Sequence, residues 1–166
     1  MSLAPDDPGW DLPAPFVRRH IVGPEEIDDF GHANNTAYLR WADETGWAHW
    51  EADGLTRQGC RDADRGMAIT RTIADYSGHL RAGDAIACAV WIARSDAKLR
   101  AERWYQFRRE ADGVTVFRAR TMLVSFQLST GRPARMTADF AAHYARPSPE
   151  LAAAAEAAGA RLDIWR

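Results

Sequence analysis

A single long helix-forming stretch, residues 34–53, is followed by four extended segments divided by turn residues, and that order limits the folds open to the chain. Asn34 or Asn35 can cap the start of a helix and Asp53-Gly54 can stop it, which predicts about five helical turns. Tyr38, Trp41, Ala42, Thr45, Ala48 and Ala52 recur at three- and four-residue steps, while Arg40, Glu44 and Glu51 fall on another side. One face is therefore built for burial. After a turn-rich stretch at 54–65, segments at roughly 67–77, 84–94, 97–109 and 114–128 read as strands, rich in β-branched and aromatic residues such as Val114-Thr115-Val116-Phe117. Gly78 to Gly83, Ser95-Asp96 and Asp112-Gly113 separate them, so an antiparallel meander is expected. With a shorter strand from Phe16 to Val22, the chain reads as α+β, its one amphipathic helix seated on the concave side of the sheet.

The flanks are expected to lie outside this core. Pro5, Pro8, Pro13 and Pro15 bias residues 1–15 toward an extended arm, and 137–146 and 149–161 read as terminal helices apart from the sheet. The division is thus an arm at 1–15, a central domain at 16–140 and a helical extension at 141–166. The length of 166 residues suits one domain. A net charge of -2 with scattered arginines and one lysine, Lys98, excludes the basic footprint that nucleic acid requires. No stretch approaches the roughly 18 apolar residues of a membrane span. The N-terminus lacks a basic start leading into an apolar run, so no secretory signal is expected. Cys60 and Cys88 show neither metal spacing nor disulfide density, and a reducing cytoplasm fits. His20, His49, His79 and His143 show no H-x-x-x-H or comparable spacing, so no metal site is expected.

The string Ile27-Asp28-Asp29-Phe30-Gly31-His32-Ala33-Asn34-Asn35-Thr36-Ala37-Tyr38-Leu39 resembles the D-x-x-G-H-x-N-N-x-x-Y signature of the hydroxybenzoyl-CoA thioesterase family of hot-dog proteins. Asp75-Tyr76 followed by Arg81-Ala82-Gly83-Asp84, and Gly131-Arg132-Pro133 at the end of the last strand, are similar to further parts of that family. The resemblance covers about residues 16 to 140. It implies a hot-dog fold, a five-stranded antiparallel sheet wrapped around one long central helix, assembled as a homodimer or dimer of dimers with sites at the subunit interface. It also implies hydrolysis of an acyl-CoA thioester, with Asp28 as the catalytic aspartate and the backbone N–H of Asn35 on the thioester carbonyl. CoA is then part of the substrate, and no separate cofactor is expected.

The chemistry agrees with those residue types. A thioester needs a nucleophile or an activated water at its carbonyl carbon, and an aspartate can supply either. The developing oxyanion needs donors, and the free amides at a helix N-terminus are suited to it. His32 completes the candidate catalytic set, although a thiolate leaves readily and His32 need not protonate anything. Gly31 and Arg81 are the residues assigned to CoA, Arg81 through forked hydrogen bonds to phosphate. On spacing alone, Asp28 and Asp29 also read as turn caps, Gly31 as a permissive turn, His32 as a loop histidine, and Asn34 and Asn35 as helix caps. Two other functions compete with hydrolysis: a non-catalytic acyl-thioester binder and a hot-dog dehydratase.

Overall fold

The computed structural model describes residues 3–162, with side chains through residue 159. The expected long helix is α1, Asn35–Ala52, and the strands are β1 (Phe16–Ile21), β2 (Arg65–Tyr76), β3 (Ala85–Ser95), β4 (Arg100–Arg109) and β5 (Thr115–Gln127). All five form one sheet in the order β1-β3-β4-β5-β2, with β1 antiparallel to β3 from Phe16 opposite Val90 to Ile21 opposite Ala85. The meander holds for β3, β4 and β5 only. β2 lies at the far edge beside β5, because the link between β2 and β3 is committed elsewhere and cannot act as a hairpin turn. In that link Ser77 and Gly78 donate to the Val116 carbonyl, Leu80 accepts from Ala33, and Gly83 donates to Val22.

Three shorter helices complete the chain: α2 (Arg57–Asp62), α3 (Ala138–His143) and α4 (Pro149–Leu162). α2 falls in the stretch read as turns. Six residues are too few for a periodic signal, but Thr56 caps it by accepting from the Gly59 N–H at 2.9 Å.

By contact density the chain divides into two compact units, each with its own interior. The first comprises residues up to Ala48, Ala74–Trp91 and Tyr105–Ala119. Its core joins Ala37, Tyr38, Trp41 and Ala42 of α1 to Ile86, Cys88 and Val90 of β3, Tyr105 and Phe107 of β4, and Phe117 and Ala119 of β5. The strand residues alternate, as a pleated sheet with one face on the helix demands.

The intervening side chains of these strands meet the N-terminal segment, which corrects the expectation of an arm outside the core. Trp10 and Leu12 are buried. Trp10 stands edge-on to Trp91 and lies beneath the Arg108 guanidinium at 5.0 Å. Gln106 accepts from the Asp11 N–H at 2.7 Å and donates to the Gly9 carbonyl at 3.1 Å, and Arg118 holds the Asp11 carboxylate at 2.6 Å. The prolines prevent regular structure without preventing packing, so β3 and β4 are covered on both faces here.

The second unit comprises His49–Ile73, Ile92–Trp104 and the chain from Arg120 onward. Trp50 at the end of α1 packs on Phe140 of α3 at 4.9 Å and donates to the Tyr144 hydroxyl at 2.9 Å. Glu102 is buried with Arg120 at 2.6 Å and the Trp104 indole N–H at 2.5 Å, and Gly159 of α4 lies close over the Trp104 ring. The terminal helices are outside the sheet, as expected, yet Phe140, His143, Tyr144, Ala155 and Ala158 are buried.

Candidate active site

The motif closes on itself before α1 begins. Asn34 donates to the Glu26 carbonyl at 2.8 Å, Ile27 bridges Ala33 antiparallel, and Asp28 donates to the His32 carbonyl at 2.9 Å. At the tip, Gly31 donates to the Asp28 carbonyl at 3.0 Å with φ of 77°, a left-handed conformation that glycine tolerates best. The turn reading of Gly31 therefore holds. Phe30 beside it is 86% exposed, a large ring left in the open at the tip.

Asp28 is partly buried and is a turn residue in addition to a candidate catalyst. Its Oδ1 accepts from the Phe30 N–H at 2.9 Å and, at 3.4 Å, from the His32 N–H. Oδ2 has no hydrogen-bond partner among the described residues, so one oxygen orients the carboxylate and the other stays available. Asp29 is exposed. The His32 ring is half-buried and packs on His79 at 4.6 Å.

The start of α1 sorts its amides by partner. The Asn34 side chain caps it, accepting from the Thr36 N–H at 2.9 Å and the Thr36 hydroxyl at 2.7 Å, and the Ala37 N–H bonds to the Asn34 carbonyl. The exposed Asn35 N–H has no acceptor among the described residues and carries the positive end of the helix dipole. Tyr76 steadies this corner by donating to the Asn35 carbonyl at 3.2 Å, and Tyr38 donates to the Gly78 carbonyl at 3.3 Å. Burial pushes the Tyr38 phenol up to about 12, so it remains a donor. Tyr76 itself is 40% exposed at the edge of the site.

Arg81 is exposed on the β2–β3 link, its own N–H held by the Asp84 carboxylate at 2.8 Å. The bond between Ala33 and the Leu80 carbonyl puts its backbone beside the motif. Asp28, Gly31, His32, Asn35 and Arg81 thus all lie around one loop-to-helix junction of the first unit.

Sequence reasoning missed Glu26, the residue that holds this junction. Its buried carboxylate accepts from the Gly23 N–H at 2.8 Å and the Trp41 indole at 2.8 Å, pairs with Arg40, and lies 2.9 Å from His20 Nε2. Burial opposes its charge, but those hydrogen bonds outweigh burial and hold the carboxyl below its ordinary value. In the sequence it is one of several acids in the loop. Its partners in β1 and α1 are 6 to 15 positions away with no local periodicity to reveal them.

A family model for the thioesterase-like superfamily matches residues 22–144. No curated protein matches the chain. Several solved structures share its fold. A 1,4-dihydroxy-2-naphthoyl-CoA thioesterase from Synechocystis superposes with a TM-score of 0.72 at 17% identity, covering 78% of this chain and 95% of that one. A Staphylococcus aureus protein in complex with CoA gives 0.72 at 21% identity, over 82% and 90%. A gentisyl-coenzyme A thioesterase gives 0.69 at 15% identity, over 78% and 100%. At these identities the likeness concerns the fold, an α+β hot-dog with a five-stranded antiparallel sheet.

Proposed function

Because the chain belongs to the thioesterase-like superfamily, we propose that it hydrolyses an acyl-CoA thioester to the free acid and CoA, with Asp28 as nucleophile or general base. The observation that carries this reading is the pairing of an oriented carboxylate with an open Oδ2 and an acceptor-free Asn35 N–H at one loop-to-helix junction. As base, Asp28 takes a proton from water while the oxygen attacks the carbonyl carbon. As nucleophile, it forms an acyl anhydride that water then cleaves. In both routes the carbonyl oxygen becomes an oxyanion facing the Asn35 N–H, and the C–S bond breaks with CoA leaving as thiolate. His32 has no required proton transfer and serves through its backbone, which holds Asp28. The open carboxylate oxygen favours turnover over mere binding. That two structural relatives are named as CoA thioesterases and a third is in complex with CoA supports the substrate class. Release of free thiol from a panel of short, long, branched and aromatic acyl-CoAs tests it, and no turnover on any member would remove the enzyme reading.

CoA binding is assigned to Gly31, where bare backbone permits close approach, and to Arg81, where a guanidinium can meet phosphate. Arg81→Ala is expected to raise KM for acyl-CoA several-fold and leave kcat within about twofold, with little effect on an acyl thioester lacking the nucleotide. An equal change for both substrates would take Arg81 out of the phosphate contact.

The assembly we assign is a homodimer or dimer of dimers. β2 is a 12-residue edge strand with Ile69 58% and Tyr76 40% exposed, an unprotected edge of the kind that pairs with another strand. Light scattering should give twice 18.5 kDa or a higher even multiple, and a monomer at micromolar concentration would rule out a site shared between chains. No helix among the described residues is long and apolar enough to cross a membrane. The free, buried thiols of Cys60 and Cys88 fit action in a reducing cytoplasm.

A further inference from the structure

The second unit brings together three side chains that thioester chemistry does not use. His49 lies in the last turn of α1, Asp53 follows directly in the turn that ends it, and His143 closes α3. Each offers a ligand atom, and the three atoms lie within 4.8 Å of one another. The spacing that suggests nothing in sequence becomes a convergence because α3 folds back onto the end of α1, held by Trp50 against Phe140 and Tyr144.

We propose that His49, Asp53 and His143 bind one divalent transition-metal cation of the zinc class. His143 has its side chain 1% exposed, with Nδ1 at 2.6 Å from Asp53 Oδ2 and Nε2 buried without a hydrogen-bond partner among the described residues. A nitrogen in that position is costly unless something accepts its lone pair or its proton. The His49 ring faces it at 4.7 Å. Asp53 is 52% exposed, so a cation can enter from solvent, the carboxylate can rotate to meet it, and water can take the remaining position. In a tetrahedral zinc site ligand atoms are about 3.3 Å apart, so pairs as far apart as 4.8 Å have to close by about 1.5 Å, while Asp53 leaves its 2.6 Å contact with Nδ1 to coordinate.

Two imidazoles and one carboxylate select zinc, copper or nickel over calcium or magnesium. Arg103 weighs against the site, for its guanidinium stacks on Tyr144 at 5.3 Å and its charge bears on both imidazoles. The affinity should therefore be moderate. Bound metal would tie the end of α1 to α3 and act on stability, independently of whether the proposed hydrolysis occurs.

Chelator-treated full-length protein titrated with Co²⁺ should develop the visible absorption of a four-coordinate site and saturate at one equivalent per chain. Zn²⁺ should bleach that band and raise the midpoint of thermal unfolding. Asp53→Asn keeps the size of a half-exposed side chain and should weaken Zn²⁺ binding at least tenfold by calorimetry, as should His143→Gln if it folds. Equal binding by wild type and Asp53→Asn would overturn the proposal. So would a loss of binding in His79→Gln instead, which would assign the ion to the His32–His79 pair, or no saturable binding at all.

Discussion

Asp28→Asn is expected to lower kcat at least about a hundredfold, a loss of about 2.7 kcal/mol of transition-state stabilisation, with the fold retained. The two properties separate because they reside on different atoms. Asparagine keeps an oxygen for the Phe30 and His32 amides and so preserves the turn. It removes the charge from the position of Oδ2, the oxygen left for chemistry. Circular dichroism and the thermal midpoint should stay near wild type while thiol release collapses. Near wild-type turnover would remove Asp28 from the mechanism. Asp29→Asn, at an exposed neighbour with no assigned contact to substrate, should cost little, and equal losses in the two variants would mean that the register of the motif is misassigned.

The largest effect on stability is expected at Glu26. Glu26→Ala leaves the buried Trp41 indole N–H and the Gly23 N–H without their acceptor, and deprives Arg40 and His20 of their carboxylate. Removing one member of such a buried polar network costs about 3 kcal/mol, which for a domain of this size lowers the thermal midpoint by roughly 6–12 °C. Glu25→Ala next to it is exposed and should change the midpoint little. Equal midpoints for the two variants would show that the network contributes nothing. The effect also has a pH signature. The folded carboxyl is held below its ordinary value near 4.5, so its contribution is present above that pH and fades as pH falls through the lower folded value. The gap between wild type and Glu26→Ala should therefore narrow in acid. Because Asn34 donates to the Glu26 carbonyl, a shift of this residue also displaces the start of α1, and kcat should fall along with stability.

What local chemistry dictates was legible from the chain. Cap and stop residues bounded α1 to within a residue or two, and turn residues bounded β1 through β5 to within three, because such preferences act over a few neighbouring positions. The turn at Asp28 and the cap at Asn34 were legible for the same reason: turn, cap and helix start lie within eight consecutive residues. The tertiary structure decided what depends on contacts between distant segments. β2 went to the far edge of the sheet because its link to β3 was taken up by Val22, Ala33 and Val116. The arm was buried because Trp10 found an open face at Trp91 of β3 and Arg108 of β4, partners that no neighbouring residue announces. Glu26 became the hub of the site, and Asp53 met His143 from 90 positions away, only once packing had set the faces of α1. Hydrophobic burial is non-directional and does not name its partner, so periodicity shows which face is covered and only the packed chain shows by what.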